Sequence, residues 1–246
     1  MALLTEERVR LMSDNGTRGP VVVRREDVLT PSARSWLREH RVEVVYPQGK
    51  EESAPGAARY QTAFGVGLEE KPEHMTHLRG NILVFKDHPR IAFRGMIDLL
   101  EAEIALCQQV CVREGIPALA EELEEVLGFV RRFIRFDVLE EPVGEVRLCG
   151  LGPEELRERS HYPEKYYGQP HFLLHYTDSP AILAVNKVRA VARQTELAAY
   201  RAFRDENGAV TREDILLGLN RLSSLMWIFM IRLKAGAYGP PAGGAQ

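Results

Sequence analysis

The chain has 246 residues, 45% of them hydrophobic and 27% charged, with a formal net charge of −3. That length and apolar share support one large domain, or one with a small appendage, and exclude a disordered chain. The slightly acidic balance excludes a globally basic nucleic-acid binder, so any anion must be met by a local basic patch.

The cysteine count is three, an odd number, and Cys107 and Cys111 stand four apart in a helical pattern. This predicts free thiols in a reducing compartment rather than a disulfide framework. Glu6, Glu7 and Arg8 interrupt any apolar leader. The most apolar window, Leu225–Ile231, is too short to span a bilayer. The expectation is a cytoplasmic chain with no membrane partner and no nucleic-acid partner.

In chain order, Thr5–Asp14 reads as a short amphipathic start. Val21-Val22-Val23 is a β-branched run that predicts a strand. Thr30-Pro31 opens a helix over Ser32–His40, Thr as the cap and Pro at the first helical position. Val42–Tyr46 alternates as a second strand. Residues 1–60 are therefore expected to form a small strand–helix–strand unit and its linker. Pro47–Arg59 is the linker-like part.

Lys71–Asp98 combines His74, His77 and His88 with two lysines, three arginines and the apolar run Ile82–Phe85. It reads as a polar, His-rich loop that feeds a helix from Pro89, where a phosphate-rich ligand can be gripped. Ile91, Ile97, Leu100, Ile104, Cys107 and Cys111 recur at three- and four-residue steps. After the Gly115–Pro117 break, Leu119, Leu123, Val126, Leu127, Val130 and Ile134 form a second stripe. Glu121, Glu122, Glu124 and Glu125 are expected on its solvated face. Phe136–Gly152 is irregular, Pro153–Ser160 a short helix, and Tyr162–Asp178 a polar-aromatic loop.

Ser179-Pro180 opens a third long helix reaching about Asp205. Thr211 caps a fourth that runs through Leu233, with Gly236 as the stop. Four long helices over 61–236 predict a mainly α fold, an antiparallel helical bundle, with 237–246 as a disordered tail.

Arg189 and Arg193 share a face of the third helix beside its apolar positions Ile182, Val185, Val188, Ala192 and Leu197, and Glu196 stands within pairing distance of Arg193. Two readings stay open for the arginines: a structural ion pair with Asp98 or another acid, or phosphate binding. Asn220-Arg221-Leu222-Ser223-Ser224 places polar groups in an otherwise apolar helix, facing either the bundle or a ligand. His161, His171 and His175 with Tyr166 and Tyr167 read as pocket lining or surface aromatics. His74 and His77, three apart, could form a metal pair on a helix turn, but no Cys, Asp or third His stands at ligand spacing in the same loop, so metal is the weaker reading. No glycine-rich phosphate loop, nucleophile elbow or zinc-protease motif occurs.

Five segments in order carry a resemblance. They are Leu29–Arg34, Lys71–Leu78, Lys86–Arg90 through Phe93-Arg94-Gly95 to Asp98, Arg189-x-x-x-Arg193-x-x-Glu196, and Leu219–Ser224. Together they resemble the ethanolamine-utilisation type of corrinoid (cobalamin) adenosyltransferase, and the later ones also resemble the propanediol-utilisation and mitochondrial enzymes. The resemblance implies transfer of the 5′-deoxyadenosyl group of ATP to cob(I)alamin in a homotrimeric helical bundle, with Mg²⁺ on the phosphates.

The same resemblance places Lys71, His74, Thr76, His77 and Lys86 in the phosphate region. It places Arg193, Asn220 and the adjoining Arg221 at the ATP and corrinoid sites. Glu196 either orients Arg193 or holds the nucleotide. Asp98 and Arg189 match a pair tying two helices or two subunits, and Phe172 matches the aromatic below the corrin. A reductase, ethanolamine ammonia-lyase or a microcompartment are the implied partners.

Three departures stand out. Residues 53–70 lack the Cys and His of a metal cluster found in some relatives, Ser224 replaces an Asp, and the family's glycine-rich nucleotide loop is missing. A non-catalytic corrinoid-binding or delivery protein is the alternative class. A purely structural helical assembly is a third.

Overall fold

The structure is a computed structural model that describes residues 3–14, 21–23, 27–40, 42, 44–45 and 58–239. It divides into two compact units, Met1–Ala57 and Ala58–Gln246.

The first unit holds β1 (Leu3–Leu4), α1 (Glu6–Asp14), β2 (Val21–Val22), β3 (Val28–Leu29), α2 (Pro31–Glu39) and β4 (Val44–Val45). β1 pairs with β3 and β2 with β4, both parallel. Thr30 Oγ1 accepts from the Ala33 amide at 3.3 Å, and Pro31 sits in the first turn, where its missing N–H costs nothing. Leu4, Val9, Val21, Val23, Leu29, Ala33 and Leu37 form this unit's own core. The expected strand–helix–strand is β2–α2–β4, and the β1–β3 pair adds to it. Most of the expected linker lies outside the described residues.

The second unit opens with β5 (Tyr60–Thr62), β6 (Gly67–Leu68), β7 (Met75–Arg79) and β8 (Ile82–Phe85), in sheet order β6-β5-β8-β7. This corrects the expected His-rich loop. Met75–Arg79 and Ile82–Phe85 form an antiparallel hairpin, turned at Gly80-Asn81, where Gly80 has φ +50. Gly followed by Asn between two pairable segments is a hairpin signal, and the histidines obscured it.

Six helices follow: α3 (Pro89–Arg113), α4 (Pro117–Val138), α5 (Pro153–His161), α6 (Pro163–Tyr167), α7 (Pro180–Phe203) and α8 (Glu213–Lys234). The first five each have proline in the first turn. Proline's fixed φ suits that position and forbids continuation from upstream. α6 falls within the stretch expected to be loop. α3 and α4 are joined through Gly115 at φ +72, which lets the Ile116 amide reach the Cys111 carbonyl at 2.8 Å. So short a connection makes them antiparallel neighbours.

Phe93 meets Phe203, Lys187 pairs with Glu103, and Thr195 Oγ1 donates to the Met96 carbonyl, so α7 runs antiparallel to α3. Asn220–Glu196 and Arg189–Trp227 contacts set α8 antiparallel to α7. The four long helices thus form the expected antiparallel bundle around one continuous apolar core. α8 is long and apolar enough to cross a bilayer, with mean hydropathy 1.4, but 61% of that window is buried in the bundle, as in a core helix.

Several expectations at residue level change. Phe93, not Ile91, is the buried residue of the first α3 turn, and Ile134 and Leu197 are not in the core. Glu122 is not on a solvated face. It accepts from Arg232 Nη1 at 2.6 Å and from the Tyr238 hydroxyl at 2.6 Å, anchoring the end of α8. Tyr238 thereby lies in a described, bonded position, while the rest of the expected tail, 240–246, lies outside the described residues. Thr211 does not cap α8. Its hydroxyl donates to the Phe203 carbonyl, and Arg212 holds Asp214 instead.

His88 caps α3. Its Nδ1 accepts from the Arg90 amide at 3.2 Å, which requires a neutral ring. Burial, then the Arg90 and Arg94 charges, hold its pKa below the ordinary 6.5. The unfolded chain therefore takes up this proton first as pH falls. The stability contributed by the neutral ring is complete above pH 6.5 and is lost as pH falls through the lower folded value. We expect melting temperature to fall with acidity in this window, and His88→Asn, which caps without titrating, to remove this component. Parallel pH curves for the two proteins would refute it.

Candidate active site

The chemistry-bearing side chains gather in three places. The first is a cleft of about 270 Å³ beside α7 and α8, lined by Ser160, His161, His171, Arg189, Arg193, Ser223, Ser224 and Trp227. Arg189 and Arg193 are one helical turn apart on the same face. Among the described residues neither has a carboxylate within ion-pair distance. Arg189 instead lies 5.2 Å from the Trp227 ring centroid. Burial, and then the charge of Arg193, lower its pKa from the ordinary arginine range. Arg189 is half-buried and Arg193 exposed, so water screens part of their repulsion, and an anion entering the cleft would meet both cations.

One wall of the cleft is the segment after α6. Gly168 ends α6 in the left-handed region at φ +65. Asp178 closes the segment, accepting from the His175 amide at 2.8 Å and from Lys234, and Ser179 caps α7. These hydrogen bonds, the His175 amide first, hold the Asp178 carboxyl below its usual range. His171 and Phe172 both stack on Trp227, at 5.6 and 5.2 Å between centroids. Leu173 and Tyr176 are 94% and 84% exposed at its tip.

The second group lies next to the cleft. Asn220 Nδ2 donates to Glu196 Oε1 at 3.0 Å and its Oδ1 accepts from Arg221 Nη1 at 2.6 Å, which fixes the amide orientation. Glu196 thus holds Asn220, and the expected Arg193–Glu196 pair is not formed. Arg221 Nε is buried without a partner. Burial, and then Arg157, lower the Arg221 pKa, opposed by Glu154 and Glu196.

The third group is on the sheet. Lys86 Nζ pairs with Glu73 at 3.1 Å, and Lys71 Nζ donates to the Met75 carbonyl at 3.4 Å. The Lys86 hydrogen bond and both lysine charges hold the Glu73 carboxyl low. His74 stacks on Phe85 and lines an apolar groove of about 670 Å³ on the sheet. His77 meets Tyr60 edge-on. Thr76 is half-buried on β7. Asp98, on α3, is exposed, and the single chain does not bring it to Arg189.

Sequence reasoning therefore placed Arg189, Arg193, His161, His171, Ser223 and Ser224 in separate segments that the fold unites. It missed Trp227, which is hidden in the apolar window of α8, and Asp137, which ends an aromatic stripe on α4.

The fold and the cleft define a helical-bundle protein that carries two arginines in a side cleft. The sequence model of the cobalamin adenosyltransferase family matches residues 67–233. The corrinoid adenosyltransferase EutT of Escherichia coli K12 is 30% identical over 221 residues, covering 82% of this chain and 81% of that one. EutT of Salmonella typhimurium LT2 is 29% identical over the same span. A variant PduO-type ATP:corrinoid adenosyltransferase from Lactobacillus reuteri, complexed with cobalamin and ATP, shares the fold. It has TM-score 0.51 and 19% identity, covering 69% of this chain and 90% of that one. The chain belongs to the cobalamin adenosyltransferase family.

Proposed function

We propose that this protein transfers the 5′-deoxyadenosyl group of ATP to cob(I)alamin, forming adenosylcobalamin and releasing triphosphate. The observation that carries the reading is Arg193, which lines the cleft with no carboxylate within ion-pair distance among the described residues, in a member of this family. Cobalt(I) gives its electron pair to C5′, the C5′–O bond breaks, and triphosphate leaves with the bonding pair, so cobalt ends formally as Co(III). The nucleophile is the substrate metal, and the protein supplies no base.

The protein's part is electrostatic and positional. Arg193 meets the phosphates as negative charge builds on the leaving oxygen. Asn220, held by Glu196 and Arg221, turns its remaining amide hydrogen towards ATP. The triphosphate grip is assigned to the Lys71–Lys86 region, with the two lysines leading because Glu73 already gathers them. Side chains alternate along β7, so Thr76 and His77 face opposite sides of the sheet, and His74, Thr76 and His77 do not all reach one phosphate. Mg²⁺ is expected to travel with ATP. It would be held mostly by phosphate oxygens and water.

Phe172 provides the apolar lower face that denies cobalt a donor and makes Co(II) easier to reduce. Phe172→Ala is expected to lose most activity when Co(II) is supplied with a biological reductant, and distinctly less when Co(I) is formed beforehand. Equal losses in the two assays would remove Phe172 from this role.

Leu99, Leu106, Leu183 and Leu197 leave apolar surface exposed on α3 and α7, the helices that also carry Asp98 and Arg189. We assign this face to a homotrimer in which Asp98 of one copy meets Arg189 of the next. Sedimentation at the 27.8 kDa of a single chain would rule the trimer out. The proposed setting is cytoplasmic ethanolamine utilisation, with a reductase and with ethanolamine ammonia-lyase or a microcompartment as partners. A deletion strain that still grows on ethanolamine without added adenosylcobalamin would sever that link.

A further inference from the structure

We infer that Arg94 is a positioning residue: with Asp137 it locks the β7–β8 hairpin onto the bundle and so sets where the phosphate-binding side chains stand. The inference rests on the phosphate role of Lys71–Lys86 proposed above. Asp137 at the end of α4 is fully buried, yet it carries a carboxylate. Oδ1 accepts from Arg90 Nε and Oδ2 from Arg94 Nε, each at 2.6 Å, and its backbone carbonyl accepts from Arg90 Nη2 at 2.6 Å. A buried charge is tolerable only with such complete pairing.

The rest of the Arg94 guanidinium turns to the sheet. Nη1 donates to the His77 carbonyl at 3.2 Å and Nη2 to the Leu78 carbonyl at 2.7 Å. In a regular strand successive carbonyls point to opposite sides, and one guanidinium cannot take both. The ladder register shifts between His77 and Arg79, an irregularity that brings the two carbonyls to one donor. β7 is an edge strand, so its outer side is free for this contact. Arg79 at the strand end is tied as well, to Glu140 at 2.6 Å, and Glu140 also meets Arg90 at 3.5 Å.

Arg90, Arg94 and Asp98 stand four apart on α3. One helical face therefore carries both the hairpin lock and Asp98, and a shift of the hairpin displaces Lys86 and Lys71 relative to that face. Lysine at position 94 keeps the charge but cannot fork between a carboxylate and two carbonyls.

The test is steady-state kinetics on the full chain with pre-formed Co(I). Arg94→Lys is expected to raise KM for ATP about tenfold with kcat within about twofold, as a loss of uniform binding does. Lys86→Ala alone is expected to raise KM as well. The double variant is expected to exceed Lys86→Ala by no more than about twofold, because Arg94 acts through the hairpin. Glu140→Gln, which loosens only the outer tie, is expected to raise KM about threefold and decides the matter if Arg94→Lys does not fold. An unchanged KM in Arg94→Lys, or in the folded Glu140→Gln substitute, overturns the inference. So do fully multiplicative effects in the double variant. An unchanged KM in Lys86→Ala overturns the phosphate reading itself, and this inference with it.

Discussion

Replacing Arg193 by alanine lowers kcat/KM for ATP about 100-fold while moving the melting temperature by no more than about 2 °C. The two halves of that result come from one observation. Arg193 contributes no ion pair or hydrogen bond among the described residues, so its removal breaks nothing in the fold. It stands one turn from Arg189, whose guanidinium is already disfavoured by burial and by that neighbouring charge. Deleting one member relieves the repulsion and deprives the triphosphate of a cation. A structural arginine gives the opposite pattern, a lower melting temperature with ATP kinetics intact. Calorimetry and ATP-dependent kinetics on the same preparation separate the two.

Replacing Asp137 by alanine costs about 3–5 kcal/mol, because it leaves two arginines facing a buried cavity without their carboxylate. The side chains of Arg90 and Arg94 are only 15% and 16% exposed, so water cannot replace the lost partner. For a unit of this size the loss lowers the melting temperature by roughly 10 °C. A fall of less than about 3 °C, read by calorimetry, would contradict the account of the lock. The contrast with Arg193 is informative. Both positions belong to arginine-rich stretches, yet among the described residues of one chain one arginine pair meets a carboxylate and the other does not.

That contrast also shows how much the sequence disclosed. Pro89, Pro153 and Ser179-Pro180 mark helix starts because proline tolerates little else, and the three- and four-residue apolar steps mark the buried faces. The bundle was legible for those local reasons. The hairpin was not, although Gly80-Asn81 carried its signal, because polar histidines and arginines alternate with its apolar residues. Asp137 was invisible since no local rule distinguishes a buried carboxylate from a surface one. Its partners lie 43 and 47 residues away. The spacing of Arg189 and Arg193 was evident, but whether an acid faced them depended on the packing of α3, α5 and α8. Sequence reasoning left the ion pair and the anion site as alternatives. Among the described residues no such pair forms within one chain, and the anion site is the reading proposed for them.

The central claim is most directly tested by mixing the purified chain with ATP, Mg²⁺ and chemically reduced cobalamin under anaerobic conditions. The absorbance of the Co–C bond and the phosphorus spectrum are followed together. The account predicts adenosylcobalamin and intact triphosphate appearing in equal amounts, with neither formed when ATP is omitted. Corrinoid binding without adenosylcobalamin formation would contradict it and leave a carrier of the same fold.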